Sequence, residues 1–235
     1  MDKQYNILFI FDLDGTIADT FDDITAAVNH ALEPFQLPPL NTDTVRRFVG
    51  NGLKRLIEDI ADYYSDMLPD GRKRELVEQG PAIWLQYYEK HPADMTRLYP
   101  GVEKVLKTIS ENGARKAILT NKPHDAAVEV VRNLGIHDLF DKVKGQRPGE
   151  PKKPDPAPVK DLMKQFETEP GLTVIIGDGI QDIRAGKAAG CVSCGVTYGL
   201  SGRSDLVDAG ADFIAEKPEE ILNYKVKKEK IVFFS

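Results

Sequence analysis

Near its start the chain carries NILFIFDLDGTIADT (Asn6 to Thr20), the stretch that most restricts what it can fold into. An unbroken apolar run, Ile7 to Phe11, leads into Asp12 and Asp14, and Gly15 follows. A short continuous apolar run predicts a strand buried on both faces, as in a parallel sheet covered by helices. Residues two apart on a strand point to the same side, so the spacing turns Asp12 and Asp14 one way and Leu13 the other. Ligands of open α/β sheets sit beyond the carboxyl ends of the strands, where these aspartates fall.

Two carboxylates that meet repel unless a cation or a proton intervenes. Oxygen donors favour Mg²⁺ over zinc, and Mg²⁺ commonly takes one or two carboxylates beside water and substrate phosphate. A D-x-D-G turn also caps helices and opens calcium loops. The remainder of the EF-hand pattern does not follow here.

The 235 residues, 41% hydrophobic, suffice for one sizeable domain or a core with a smaller insert. A net charge of −6 argues against a nucleic-acid or anionic-membrane partner, since both attract basic surfaces. An acidic protein that handles an anionic substrate must gather its cations locally. No segment approaches the roughly 20 apolar residues of a membrane span, and the N-terminus lacks the order of a secretion signal, so the expected location is the cytoplasm. The two cysteines, Cys191 and Cys194, form C-x-x-C. On a strand they point to opposite faces, a poor disulfide geometry, and no second pair completes a zinc site, so they are expected to be strand residues.

Helical periodicity runs from Thr20 to Leu32, from Asp43 to Tyr64 with a break at Gly50-Asn51-Gly52, and from Gly71 to Lys90, where Gly80-Pro81 is expected to kink or split the helix. Residues 18–92 thus predict an all-helical insert without a strand. From Tyr99 helices and strands alternate, with strands at Lys116 to Leu119, Lys142 to Lys144, Thr173 to Ile176, Cys191 to Thr197 and Asp212 to Ala215. Such alternation implies a parallel sheet with right-handed crossovers. The expected fold is α/β: a Rossmann-like doubly wound parallel sheet built from 1–17 and 93–235, interrupted by the helical segment 18–92. The tail KVKKEKIVFFS is expected to be an edge strand guarded by its lysines.

Three further groups fall at strand ends or beside them. Thr120-Asn121-Lys122 offers a hydroxyl, an amide and backbone N–H groups before a helix, a suitable phosphate cradle. Lys152-Lys153-Pro154-Asp155-Pro156 offers a lysine on a stiff loop, with the register of the doubled lysine open. Gly177-Asp178-Gly179-Ile180-Gln181-Asp182 follows the apolar run Val174-Ile175-Ile176 and adds two carboxylates one helical turn apart. In this order the chain resembles the haloacid dehalogenase-like superfamily of phosphohydrolases, whose four motifs match FDLDGT, LTN, the lysine of KKPDP and GDGIQD. The helical insert resembles the alpha-helical cap of that superfamily.

The resemblance implies a phosphatase in which Asp12 attacks phosphorus and Asp14 protonates the leaving alcohol. It implies Mg²⁺ held by Asp12, the Asp14 backbone carbonyl and Asp178, with Asp182 orienting waters behind them. Thr120, the Asn121 amide region and Lys153 would hold the phosphoryl oxygens. Asp14 argues for phosphate esters, because dehalogenase relatives lack that aspartate and phosphonate-cleaving relatives usually carry a small residue there; Lys54 resembles the cap lysine of the latter. Within the superfamily FVGNG (Phe48 to Gly52) and the segment Thr197 to Ile221 look most like phosphoglycolate phosphatases. That implies a small phosphorylated metabolite, with 2-phosphoglycolate foremost, and cap contacts from Asn51 and Lys54; Arg46, Arg47 and Arg55 are further candidate cations. A beta-phosphoglucomutase-like isomerase shares all four motifs, and a non-catalytic binding protein on the same fold is the remaining alternative.

Overall fold

A computed structural model describes residues 5–234. The first four residues of the expected core segment and the last residue of the tail, Ser235, lie outside the described residues. The chain runs through β1 (Leu8–Phe11), β2 (Ala18–Asp19), α1 (Phe21–Leu32), α2 (Thr42–Arg46), α3 (Leu53–Tyr63), α4 (Asp70–Tyr88), β3 (Arg97–Leu98), α5 (Val102–Glu111) and β4 (Arg115–Pro123). It continues through α6 (His124–Asn133), β5 (Lys142–Gln146), α7 (Ala157–Gln165), β6 (Thr173–Gly177), α8 (Ile180–Ala189), β7 (Val192–Val196), α9 (Arg203–Asp208), β8 (Phe213–Ala215), β9 (Tyr224–Lys227) and β10 (Lys230–Phe233).

The main sheet has six parallel strands in the order β5-β4-β1-β6-β7-β8. β1 lies between β4 and β6, so the chain direction across the sheet reverses there, the place where α/β sheets open a crevice at their carboxyl ends. The apolar run works as its pattern requires. Leu8 and Ile10 pack with Ala117, Leu119, Val159, Leu162 and Ile175 under α7 and α8, while Phe9 and Phe11 join the other cluster with Val105, Leu106, Ile109 and Val130. Full burial of each such side chain contributes about 1.5–3 kcal/mol.

α1, α3 and α4 pack on one another through buried Val28, Leu32, Ile57, Ile60, Leu76 and Trp84. Three expectations are corrected, two here and one in the tail. Segment 18–92 does contain a strand: Ala18–Asp19 pairs antiparallel with Arg97–Leu98 where the chain enters and leaves the helices. Two residues are too few to print a period in the sequence. Helix α4 is not split at Gly80-Pro81 but runs on through the proline; the buried Leu76, Trp84 and Tyr88 anchor it on both sides. The tail forms its own hairpin, β9 with β10, and not an edge strand of the main sheet. Lys228 and Glu229 both adopt positive φ, the turn that joins closely spaced antiparallel strands, and Phe233 stacks on Phe213 at 4.5 Å.

Cys194 lies within β7 and Cys191 just before it; both are buried and unjoined. Burial pushes the Cys191 thiol up to about 12 and Cys194 further up, so neither is a ready nucleophile. Among the described residues no helix is long and apolar enough to cross a membrane.

Candidate active site

The carboxyl end of β1 is tied to its neighbour by the Asp12 N–H, which donates to the Ile176 carbonyl at 2.8 Å. The Leu13 N–H then donates to Asp12 Oδ1 at 2.7 Å, which orients the carboxylate. Lys153 Nζ completes it, 2.9 Å from Asp12 Oδ1. Asp14 takes different partners: Thr20 Oγ1 donates to its Oδ1 at 2.6 Å and Lys122 Nζ at 2.9 Å. Both aspartates line one cavity, but each faces its own cation.

Asp178 is fully buried at the end of β6. Thr16 Oγ1 donates to its Oδ1 at 2.7 Å and the Leu200 N–H to its Oδ2 at 2.8 Å. Gly15 lets the backbone pass close: its φ is +80°, and a Cβ there would lie 2.0 Å from Asp178 Oδ2. Asp182 accepts from Lys153 Nζ at 2.6 Å and from the Gly179 N–H at 3.1 Å. Carboxylate oxygens of Asp12, Asp178 and Asp182 lie within 4.8 Å of one another.

Burial, reinforced by Asp12 and by each other, raises the pKa of Asp178 above the ordinary carboxyl value. Burial also raises that of Asp182, against the opposing pull of Lys153. Burial works against the charge on Lys153, but Asp12 and Asp182 together outweigh it and hold its pKa above the usual lysine range. With Asp178 and Asp182 buried, Asp12 half-buried and every donor an oxygen, the three-carboxylate group fits a hard divalent cation. The expected metal set is Asp12, Asp178 and the backbone carbonyl of Asp14, with Asp182 behind, so it asks nothing of the Asp14 side chain. The carboxylates that come together are Asp12, Asp178 and Asp182, while the Asp14 side chain turns to Thr20 and Lys122.

On the expected phosphate side, Thr120 and Lys153 both line the cavity, and Lys153 is only 2% exposed. The doubled lysine divides its work: Lys153 enters the site, while Lys152 Nζ donates to the Asn51 carbonyl at 2.6 Å. The side-chain amide of Asn121 is consumed elsewhere, donating at 2.9 Å to the carbonyls of Gly50 and of Lys153. It therefore joins the two flanking loops, and what it has left for an anion is its backbone N–H.

The segment Gly50-Asn51-Gly52 lies against the strand ends, with Asn51 Oδ1 accepting from Gln181 Nε2 at 3.0 Å. Asn51 is thereby a bridging residue at the rim. Lys54 is not brought to the site: its side chain is 78% exposed, 3.9 Å from Glu58, and lines a separate groove between α3 and α4. Arg55 pairs with Asp59 at 2.6 Å. The Arg46 guanidinium lies 4.2 Å over the Phe21 ring, and with Arg47 it lines a neighbouring surface groove. What the helices do present to the cavity is Ile24, Leu53, Leu56 and Trp84. Sequence reasoning missed Lys122 and Trp84. Lys122 had a signal, the lysine that closes T-N-K; Trp84 had none, being one more apolar residue on a helical stripe.

Residues 9–196 match the family described as haloacid dehalogenase-like hydrolase. A protein of Psychrobacter arcticus named phosphoglycolate phosphatase is 34% identical over 206 residues, 88% of each chain. One of Neisseria meningitidis with the same name is 34% identical over 94% of each chain. Among solved structures, a predicted phosphoglycolate phosphatase from Haemophilus somnus superposes with a TM-score of 0.85 at 28% identity, covering 94% of this chain and 98% of that one. With its aspartates, threonine and lysine ordered along one parallel sheet as those motifs require, this chain belongs to the haloacid dehalogenase-like hydrolases.

Proposed function

We propose that the protein is a cytoplasmic, Mg²⁺-dependent phosphatase of small phosphomonoesters, with 2-phosphoglycolate as its leading substrate, and that it works through an aspartyl-phosphate on Asp12. The observation that carries this reading is the meeting of Asp12, Lys153 and the buried pair Asp178 and Asp182 at one end of β1 and β6, with Asp14 beside them on the same cavity. The relatives' shared name supports the choice of substrate. The cavity supports a small one: about 50 Å³ of it is open to the centres of water-sized spheres, room for a few waters.

Residues 18–92 act as a cap on a core of 1–17 and 93–235. In the first half-reaction the Asp12 carboxylate attacks phosphorus, the bond to the ester oxygen breaks, and Asp14 gives that oxygen its proton. In the second, water attacks phosphorus, Asp14 takes a proton back, and phosphate leaves with Asp12 restored. Lys153, Thr120 and the Asn121 N–H bind the phosphoryl oxygens. Asp12, Asp178 and the Asp14 carbonyl would hold Mg²⁺, oriented by Asp182, and the ion would supply positive charge where the phosphoryl group gathers negative charge.

The test is phosphate release from a panel of small phosphomonoesters with Mg²⁺ or with EDTA. Release is expected only with the metal, highest for 2-phosphoglycolate, and Asp12→Asn is expected to lower it by about a thousandfold or more. Release that Asp12→Asn leaves intact would sink the covalent route, and a substrate ranking led by sugar phosphates would remove the glycolate assignment.

A further inference from the structure

Within the reading just given, 2-phosphoglycolate presents two anions, a phosphoryl group and a carboxylate on the alcohol side. Three cations of the helical segment are turned to other partners. Lys54, Arg46 and Arg55 point to Glu58, Phe21 and Asp59, and the wall they leave to the cavity is Ile24, Leu53 and Leu56. A carboxylate pressed against such a wall is strongly unfavourable unless donors receive it.

Among the donors that border the same cavity are Lys122 and Trp84. Lys122 is buried, with Nζ 2.9 Å from Asp14 Oδ1 and 4.4 Å from the Tyr88 ring centroid. An ammonium carries three donors; Asp14 takes one and the neighbouring Tyr88 can take a second, which leaves one for a ligand. Trp84 is 2% exposed, stacks on Tyr88 at 4.4 Å, and its Nε1–H has no acceptor among the described residues. Like the hydroxyls of Thr25, Tyr88 and Tyr99 it is buried without a partner, but of these four residues only Trp84 lines the cavity, where its N–H is a candidate donor to a ligand oxygen. Lys122 Nζ lies over the Trp84 ring, 5.9 Å from its centre, so the two residues are neighbours in the cavity lining.

We propose that Lys122 and Trp84 form the subsite for a carboxylate on the leaving group, and that they make this site prefer anionic over neutral phosphomonoesters. With Lys153 at the phosphoryl side beside Asp12, each anion of the substrate then has its own buried ammonium. Trp84 is a positioning and specificity residue, since it receives the part of the substrate that does not react.

The experiment compares 2-phosphoglycolate with ethyl phosphate, of similar size but without the carboxylate, in the wild-type enzyme and in Trp84→Phe, with Mg²⁺ present. Trp84→Phe keeps an aromatic ring against Tyr88 and deletes the N–H. It is expected to raise KM for 2-phosphoglycolate about tenfold more than KM for ethyl phosphate, the effect of one hydrogen bond to a charged group. Equal losses on both substrates, or none on either, would overturn the subsite. A check that needs no variant is product inhibition of the wild-type enzyme: glycolate is expected to compete with substrate and ethylene glycol is not, and equal inhibition by the two also overturns it. Absence of phosphate release from every ester would instead overturn the phosphatase reading.

Discussion

Asp178 shows how closely single residues are fitted here. It is approached by Gly15 from below and by Gly199 from the side, where an added Cβ would stand 2.4 Å from its Oδ2. Gly15→Ala meets both a positive φ and this contact, so we expect a loss of about 1–3 kcal/mol in stability by urea unfolding, together with loss of Mg²⁺-dependent activity. An unchanged unfolding midpoint would show that the turn relaxes. The same residues mark what was legible beforehand. Asp12, Asp14, Asp178 and Asp182 were identifiable because each follows an apolar run that fixes strand ends. The choice between Lys152 and Lys153 was not, since neighbours on a proline-held loop differ only in where Asn121 grips the backbone. Lys54 was misleading for a related reason: a charge one turn into a helix does not tell the sequence reader which side of the helix meets the cavity.

At the scale of elements, the loop before α3 connects the helical layer to the sheet through three side chains. Asn121 holds Gly50, Lys152 holds the Asn51 carbonyl, and Gln181 at the start of α8 holds the Asn51 side chain. Gln181→Ala removes one of the three, worth about 0.5–1.5 kcal/mol. We expect faster hydrogen exchange at the amides of residues 50–54 and little change in those of β1 and β6; exchange that stays equal throughout would show that the other two contacts suffice. That helices and strands alternate into a parallel sheet could be expected from periodicity, because β1 and β6 are apolar on both faces; the strand order and the short helix α9 could not. The hairpin β9–β10 could not, because its pairing depends on two consecutive positive-φ residues, Lys228 and Glu229, that carry no glycine or asparagine signal.

For the whole molecule, the buried acids couple folding to pH and metal. Asp178 and Asp182 hold protons in the folded state at pH values where the unfolded chain has released them, since their pKa values are raised. Their stability contribution is therefore greatest below the ordinary carboxyl pKa of roughly 4 and falls as pH rises. EDTA-treated protein is expected to lose thermal stability from about pH 5 to about pH 8, Mg²⁺ to restore it at the upper end, and Asp178→Asn to flatten the slope. A melting temperature that climbs over this range without metal would contradict the raised values.

The two-residue pairing of β2 with β3 has a consequence for how such a chain assembles. Leu8 must find Arg115 across the whole helical segment before β1 and β4 can register. Closing a loop costs conformational entropy that grows with the logarithm of its length, about 0.6 kcal/mol per doubling. Once Ala18 and Leu98 are joined, the chain that β1 and β4 have left to close is only the short stretches on either side of the clasp. The helices then hang from a closed neck, so their length and sequence can vary with little penalty to the assembly of the sheet.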